Sequence, residues 1–352
     1  MIKPKSLPDI YLSFFQFTTD MKLDDLADRE IVLTHIEQLT SFGYSGFEFH
    51  IAPTSPENYR QDLENYSNLR NYLDDRGFEK IKLTTNVGAT ADCDPSSPDQ
   101  QIQQQGIEYL KSRIDITAAL RGEILMGPII VPYNVFPTTD SGKAIWSDRL
   151  QDELATRYQI AQPILNELGI YAEQKNVKLA IEPITHWETP GPNTLAQLMK
   201  FLQGVESKQV GVVIDCAHEI LDGAGPEIFK KQVAKLARES RLHYVQVSPP
   251  HRGAVHQSWI PWQAFLEPIL EVYSGPIAIE MFNAIPGLVD LIRISRRKFW
   301  IPNEDEPNAH PNAYEIAEAA IAKTQQELNQ IIEPNSELRK RAELALSMSN
   351  SL

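Results

Sequence analysis

Four oxygen-bearing side chains close otherwise apolar runs in the second half of the chain. Glu182 follows Leu179-Ala180-Ile181, Asp215 follows Val212-Val213-Ile214, Gln246 follows Tyr244-Val245, and Glu280 follows Ile277-Ala278-Ile279. Their spacings are 33, 31 and 34 residues, near enough to a constant to suggest one repeated structural unit. Carboxylates gathered out of water lose hydration and repel one another, so a cluster of three needs a cation. With the amide oxygen the donor set is hard, which suits Mn²⁺ or Mg²⁺ over an ion that seeks thiolate or imidazole. The expectation is one divalent cation held by Glu182, Asp215, Gln246 and Glu280, with two coordination positions left for substrate oxygens.

The elements that must position these residues are short apolar runs separated by helical patterns. The runs are Ile10–Phe17, Gly46–His50, Lys80–Gly88, Ile124–Pro132, Val177–Thr185, Val210–His218, Leu242–Pro250 and Pro276–Asn283. Each is strand-length and mostly apolar rather than strictly alternating, which fits parallel strands covered on both faces. Segments with helical spacing lie between them, for example Ile31–Phe42, Gln101–Leu120, Gln151–Gln174, Leu195–Leu202, Glu227–Leu236 and Tyr314–Ile332. Eight such units predict a single (β/α)₈ TIM barrel over residues 1–332. A doubly wound open sheet would need a Gly-rich turn after its first strand, and FQFTTDMKLDD has none. The connections Tyr133–Trp146 and Ala284–Pro311 are long, so extended βα loops are expected after strands 4 and 8. Residues 333–352 read as a C-terminal helical extension, with its helix around Glu337–Ser347.

Composition narrows the partners. With 33 Lys plus Arg against 47 Asp plus Glu the net charge is −14, which opposes a nucleic-acid backbone. The densest basic run, Arg293, Arg296, Arg297 and Lys298, reads equally well as a solvated loop. Two cysteines, Cys93 and Cys216, make neither a disulfide framework nor a thiolate zinc site. No run approaches the roughly 18 apolar residues of a membrane span, so no membrane partner is expected, and a cytoplasmic setting is. A homo-oligomer is left open.

The motifs around the four residues resemble the xylose isomerase-like TIM-barrel superfamily, and within it the ketose 3-epimerase branch related to D-tagatose and D-psicose 3-epimerases. They are IEPITHWE (Ile181–Glu188), VIDCAHE (Val213–Glu219), QVSPPHRGAVHQSWIPW (Gln246–Trp262) and IAIEMF (Ile277–Phe282). The segment ILMGPIIVPYNVFP (Ile124–Pro137) is similar to the family's Gly-Pro stretch after strand 4. The resemblance implies that Glu182, Asp215 and Glu280 are metal ligands. It also implies that Glu188, His218 and Arg252 contact the substrate or the groups around it. The epimerase branch has histidine where this chain has Gln246, whereas hydroxypyruvate isomerases and certain 3-dehydroshikimate dehydratases have glutamine.

The implied chemistry is proton removal beside a carbonyl. It yields an enediolate whose charge a divalent cation neutralises while carboxylates carry the proton. Glu182 and Glu280 are the expected catalytic pair. Flanking the substrate they would give an epimer, and one of them shuttling between adjacent carbons would give an aldose–ketose isomer. The substrate expected is a small sugar or related hydroxy-ketone, and a metal-dependent isomerase is the expected enzyme. His218 is read as a hydrogen-bond partner of a substrate hydroxyl, Glu188 as orienting His218 or a bound water, and Arg252 as forking onto sugar hydroxyls. His251, His256, Trp187, Trp259 and Trp262 are weaker candidates for substrate contact, and Glu48 and His50 share one strand face and could line the pocket. Three rival readings stand beside this one. A hydroxypyruvate isomerase or an inosose- or 3-dehydroshikimate-type dehydratase would use the same metal framework. A non-catalytic sugar-binding barrel is the second, and the third, an AP endonuclease, is disfavoured by eight scattered histidines and the acidic balance.

Overall fold

The structure is a computed structural model that describes residues 7–145, 148–304, 306 and 308–332. Eight parallel strands pair in sequence order: β1 (Ile10–Ser13), β2 (Gly46–His50), β3 (Lys82–Asn86), β4 (Ile124–Gly127), β5 (Lys178–Ile181), β6 (Val210–Asp215), β7 (Leu242–Val247) and β8 (Ile277–Ile279). β8 pairs back onto β1 and closes the barrel. Every strand lies inside a run predicted from the sequence. The expected C-terminal extension, 333–352, lies outside the described residues.

The outer layer consists of α1 (Leu26–Ser41), α2 (Tyr59–Asp75), α3 (Gln100–Ala119), α4 (Asp148–Gln174), α5 (Leu195–Phe201), α6 (Cys216–Asp222), α7 (Pro226–Arg238), α8 (Trp262–Leu270), α9 (Pro286–Ile294) and α10 (Ala313–Ile332). Side chains set several of their starts. Asp25 accepts from the Asp28 N–H at the head of α1, and Thr194 and Gln197 form a reciprocal capping box at the head of α5. Four helices lie outside the six stretches named above as examples. α2 is largely polar and buries only Tyr66, Leu69, Arg70 and Leu73, a narrow stripe easily lost in the pattern. α6 has seven residues and grows directly from the end of β6. α8 contains Pro268. α9 occupies part of what reads as an irregular loop after β8.

Strand alternation decides what fills the barrel. Leu12, Leu125, Leu179, Ile181, Val212, Ile214, Val245, Ile277 and Ile279 join the large apolar core shared with the helices. Their alternates Tyr11, Met126, Ala180, Val213, Tyr244 and Ala278 form, with Ile124, a separate buried cluster that plugs the interior. Two residues further along β5 to β8, on the same inward parity, come Glu182, Asp215, Gln246 and Glu280. The fold therefore lays a polar layer directly on an apolar floor, at the C-terminal ends of the strands.

Candidate active site

Each of the four residues is held by strand-end geometry. The Glu182 N–H donates to the Gly127 carbonyl at 3.1 Å and the Glu280 N–H to the Val247 carbonyl at 3.0 Å, so both backbones stay in the ladder one step past the strands. Asp215 and Gln246 are register partners across β6 and β7. All four side chains are buried. Asp215 also caps α6, its Oδ1 accepting from the Ala217 N–H at 2.5 Å. From the opposite side of the barrel Glu48 and Asn86, the inward residues of β2 and β3, complete the layer. Gln246 Nε2 donates to Glu48 Oε1 at 3.2 Å and Oε2 at 3.0 Å, and to Glu280 Oε1 at 3.2 Å. Asn86 Nδ2 donates to Glu48 Oε1 at 3.1 Å.

These bonds leave a specific remainder. Asp215 Oδ2, Gln246 Oε1 and Glu280 Oε2 are buried oxygens with no hydrogen-bond partner. Leaving a buried acceptor unsatisfied costs about 1–3 kcal/mol, and more when it is charged. The carboxylates are also poorly placed among themselves. Burial, then the charges of Glu182, Asp215 and Glu48, pushes the Glu280 carboxyl well above the usual carboxylate range. Burial raises Glu182 too, against the lowering effect of its His218 hydrogen bond. Burial pushes Glu48 up to about 7, although the Asn86 amide favours its ionised form. Orphaned oxygens from three of the four expected ligands, within a strained cluster of carboxylates, fit a hard divalent cation. Ligand atoms of Glu182, Asp215 and His218 lie within 4.8 Å of one another.

His218 is arranged as a donor in this cluster. The Thr185 N–H donates to its Nδ1 at 3.1 Å, so the neutral ring carries its proton on Nε2, which lies 3.3 Å from Glu182 Oε1. Glu188 and Arg252, expected to act separately, form a pair: Arg252 Nη2 lies 3.0 Å from Glu188 Oε1. Arg252 Nη1 donates to Ser248 Oγ at 3.1 Å and lies 3.9 Å from Asp215 Oδ2. Its guanidinium sits 4.5 Å over the Phe282 ring. Burial opposes the Arg252 cation, but Glu188, Asp215, Glu280 and Glu182 outweigh it and hold its pKa above the ordinary value. Glu188 thus makes a contact with Arg252 that ties the loops after β5 and β7 together, while the reading that it orients His218 or a bound water stays a proposal.

Above this layer opens a cavity of about 370 Å³, a size that suits a small molecule. Glu182, Glu188, His218 and Glu280 line it, together with Asn86 and His50. Phe15 forms one wall, 4.9 Å from the His50 ring and stacked at 5.4 Å on Phe282. Tyr133, from the long loop after β4, lines it as well and is partly exposed. Other candidates are not brought to it. Trp259 and Trp187 are exposed, Trp262 is buried elsewhere, and none of the three lines the cavity. His251 is engaged by the Gly253 N–H and the Ser258 hydroxyl, and His256 lies outside the lining. The sequence places Glu48 only among residues that could line the pocket and does not single out Asn86. Glu48 interrupts GFEFH just as Glu280 interrupts IAIEMF, and that signal was available.

The comparisons with known proteins agree with this architecture. A family model described as xylose isomerase-like TIM barrel matches residues 36–300. L-ribulose 3-epimerase of a Methylomonas species is 26% identical over 205 residues, 58% of this chain and 65% of that enzyme. Ketose 3-epimerase of Arthrobacter globiformis is 23% identical over 239 residues, 66% of this chain and 75% of that enzyme. A crystal structure from Anabaena variabilis, provisionally named a sugar phosphate isomerase/epimerase, is 65% identical. It superposes with a TM-score of 0.90, covering 93% of this chain and all of that one. Among the described residues, no helix is long and apolar enough to cross a membrane.

Proposed function

Because the chain belongs to the xylose isomerase-like TIM barrel family, we propose that it is a divalent-metal-dependent sugar isomerase or epimerase. In this reading it removes a proton beside a carbonyl and passes through an enediolate. The observation that carries the reading is the set of buried oxygens without a hydrogen-bond partner on Asp215, Gln246 and Glu280 beside Glu182. Those four residues would hold the metal, Mn²⁺ or Mg²⁺ by the hardness of the donors. When bound, a divalent cation supplies Lewis-acid stabilisation of the charge that develops on the substrate oxygens.

The chain's own residues do the rest. Glu182 and Glu280 both line the cavity and are assigned the proton transfers, one taking the substrate proton and the other returning one. Without a cation, burial raises the pKa of both, and a cation held by them would draw both down again. His218 donates to Glu182 and faces the cavity, where it can orient a hydroxyl. Arg252 holds Glu188 and backs the aromatic wall at Phe282. Among the described residues that line the cavity there is no Lys or Arg to take a phosphate, which favours a free sugar, whereas the name of the Anabaena variabilis protein points to a phosphorylated one. The names of the epimerase relatives support a ketose. Gln246 keeps one second reading in view, dehydration or isomerisation of a smaller keto compound, which begins with the same proton loss.

The test has two parts. Purified protein is expected to bind one equivalent of Mn²⁺. A panel of free ketoses, inososes, hydroxypyruvate and 3-dehydroshikimate in deuterated solvent is expected to include one that exchanges hydrogen. The Glu182→Gln and Glu280→Gln variants should slow that exchange by at least about 100-fold, the contribution typical of general acid–base catalysis. Exchange at the wild-type rate in both variants eliminates the assignment, and stoichiometric metal with no exchange in any compound points to a binding protein.

A further inference from the structure

We infer that Glu48 is the positioning residue that decides which end of the Gln246 side chain faces the metal site; the inference rests on the metal-binding reading above. An amide can serve a cation only through its oxygen, because the NH₂ end carries positive partial charge. The two ends are nearly equal in size, so packing cannot choose between them and hydrogen bonding must. Glu48 is fully buried and accepts from Gln246 Nε2 through both carboxylate oxygens, at 3.2 and 3.0 Å. Glu280 Oε1 takes the same amide nitrogen at 3.2 Å. Both amide hydrogens are thereby directed at carboxylates, and Oε1 is left without a partner. Asn86 braces Glu48 through Oε1, so the middle of β2 and the end of β3 reach across the barrel to set a side chain on β7. Groups that orient ligands from behind commonly change metal affinity by 10–100-fold when removed.

Two accounts of Glu48 must be separated, because an anion near a cation site would also help by charge alone. The experiment is Mn²⁺ calorimetry on the full-length, metal-stripped protein, comparing Glu48→Leu, Glu48→Gln and Gln246→Ala with the two double variants. Leucine keeps the volume and removes the acceptor, and it should weaken Mn²⁺ binding by about ten-fold or more. Glutamine keeps an oxygen that can accept from Gln246 and should cost clearly less. In the Gln246→Ala background both Glu48 substitutions should lose most of their effect, since a positioning residue with nothing to position contributes little. The inference is overturned if Glu48→Leu binds like the wild type, or if either Glu48 substitution costs the same factor with and without Gln246. Should Glu48→Leu fail to fold, as circular dichroism would reveal, the Glu48→Gln cycle decides alone. A wild type that binds no Mn²⁺ would instead refute the metal reading itself.

Discussion

Arg252 occupies the point where the loops after β5, β7 and β8 meet. Its side chain pairs with Glu188 and Ser248, its guanidinium covers Phe282, and its carbonyl accepts from the Phe282 N–H at 3.0 Å. Removing one member of a buried charged group leaves the others uncompensated, at a cost of about 3–5 kcal/mol. Arg252→Ala should therefore destabilise the metal-free protein by about 3 kcal/mol in urea unfolding. The backbone at this position has φ +60°, the left-handed region, which costs an L-residue roughly 1–2 kcal/mol. Arg252→Gly should thus recover about 1 kcal/mol relative to the alanine variant. Equal losses in the two would show that the turn stores no strain. Residues of this kind explain what was legible. Glu182, Asp215, Gln246 and Glu280 announce themselves because a polar group at a fixed interval in apolar runs has few bland explanations. The Glu188–Arg252 pair joins two loops 64 residues apart, and nothing local in either loop specifies the other.

Strand ends, more than strand interiors, determine whether the polar layer is assembled correctly, and Gly127 at the end of β4 is the clearest case. Its φ is +129°, and a Cβ there would stand 2.2 Å from the Val87 carbonyl and 3.1 Å from Asn86 Oδ1. Its carbonyl accepts the Glu182 N–H, and Asn86 is the brace of Glu48. Gly127→Ala thus strains the backbone, pushes β3 away and disturbs both ends of the carboxylate layer. It should cost at least about 2 kcal/mol in unfolding free energy, by strain and displacement together, and should weaken Mn²⁺ binding as well. Wild-type values in both measurements would mean that the β3–β4 edge yields without consequence. The same region shows why element boundaries were less legible than element identity. The apolar run Ile124–Pro132 is longer than β4 because Ile129, Ile130 and Val131 remain buried after the strand has ended at Gly127. Burial continues past the ladder, whereas Pro128 has no N–H to extend it. α2 is harder to bound for the converse reason, since a helix with a narrow buried stripe looks like a polar connection.

Closing eight strands into one barrel buries polar groups both within the site and away from it, and their titration couples the whole molecule to pH. Burial lowers His35 on α1, His50 on β2 and His243 on β7 to about 4 each, against an ordinary value of 6.5. In the unfolded chain these rings take up protons as pH falls through 6.5, while in the folded protein they stay neutral down to about 4. The unfolded state binds more protons throughout that window, so each histidine withdraws stability as pH falls from 6.5 to 4. Buried carboxylates pull the other way. Glu48 and Glu219 are raised to about 7, mainly by burial, so the folded state binds more protons and gains stability as pH falls from 7 towards 4.5. The overall pH profile therefore mixes opposing contributions, and a difference between variants isolates one of them. His243 Nε2 donates to the Lys208 carbonyl at 3.0 Å. Glutamine can keep that donation and has no proton to gain. Measured by urea unfolding at pH 7.5 and 4.5, His243→Gln should gain about 2 kcal/mol on the wild type across the interval, on the scale of 1.36 kcal/mol per pKa unit. A constant gap between the two proteins would mean that His243 accepts its proton without unfolding, and that the base of β7 opens to water more readily than its burial implies.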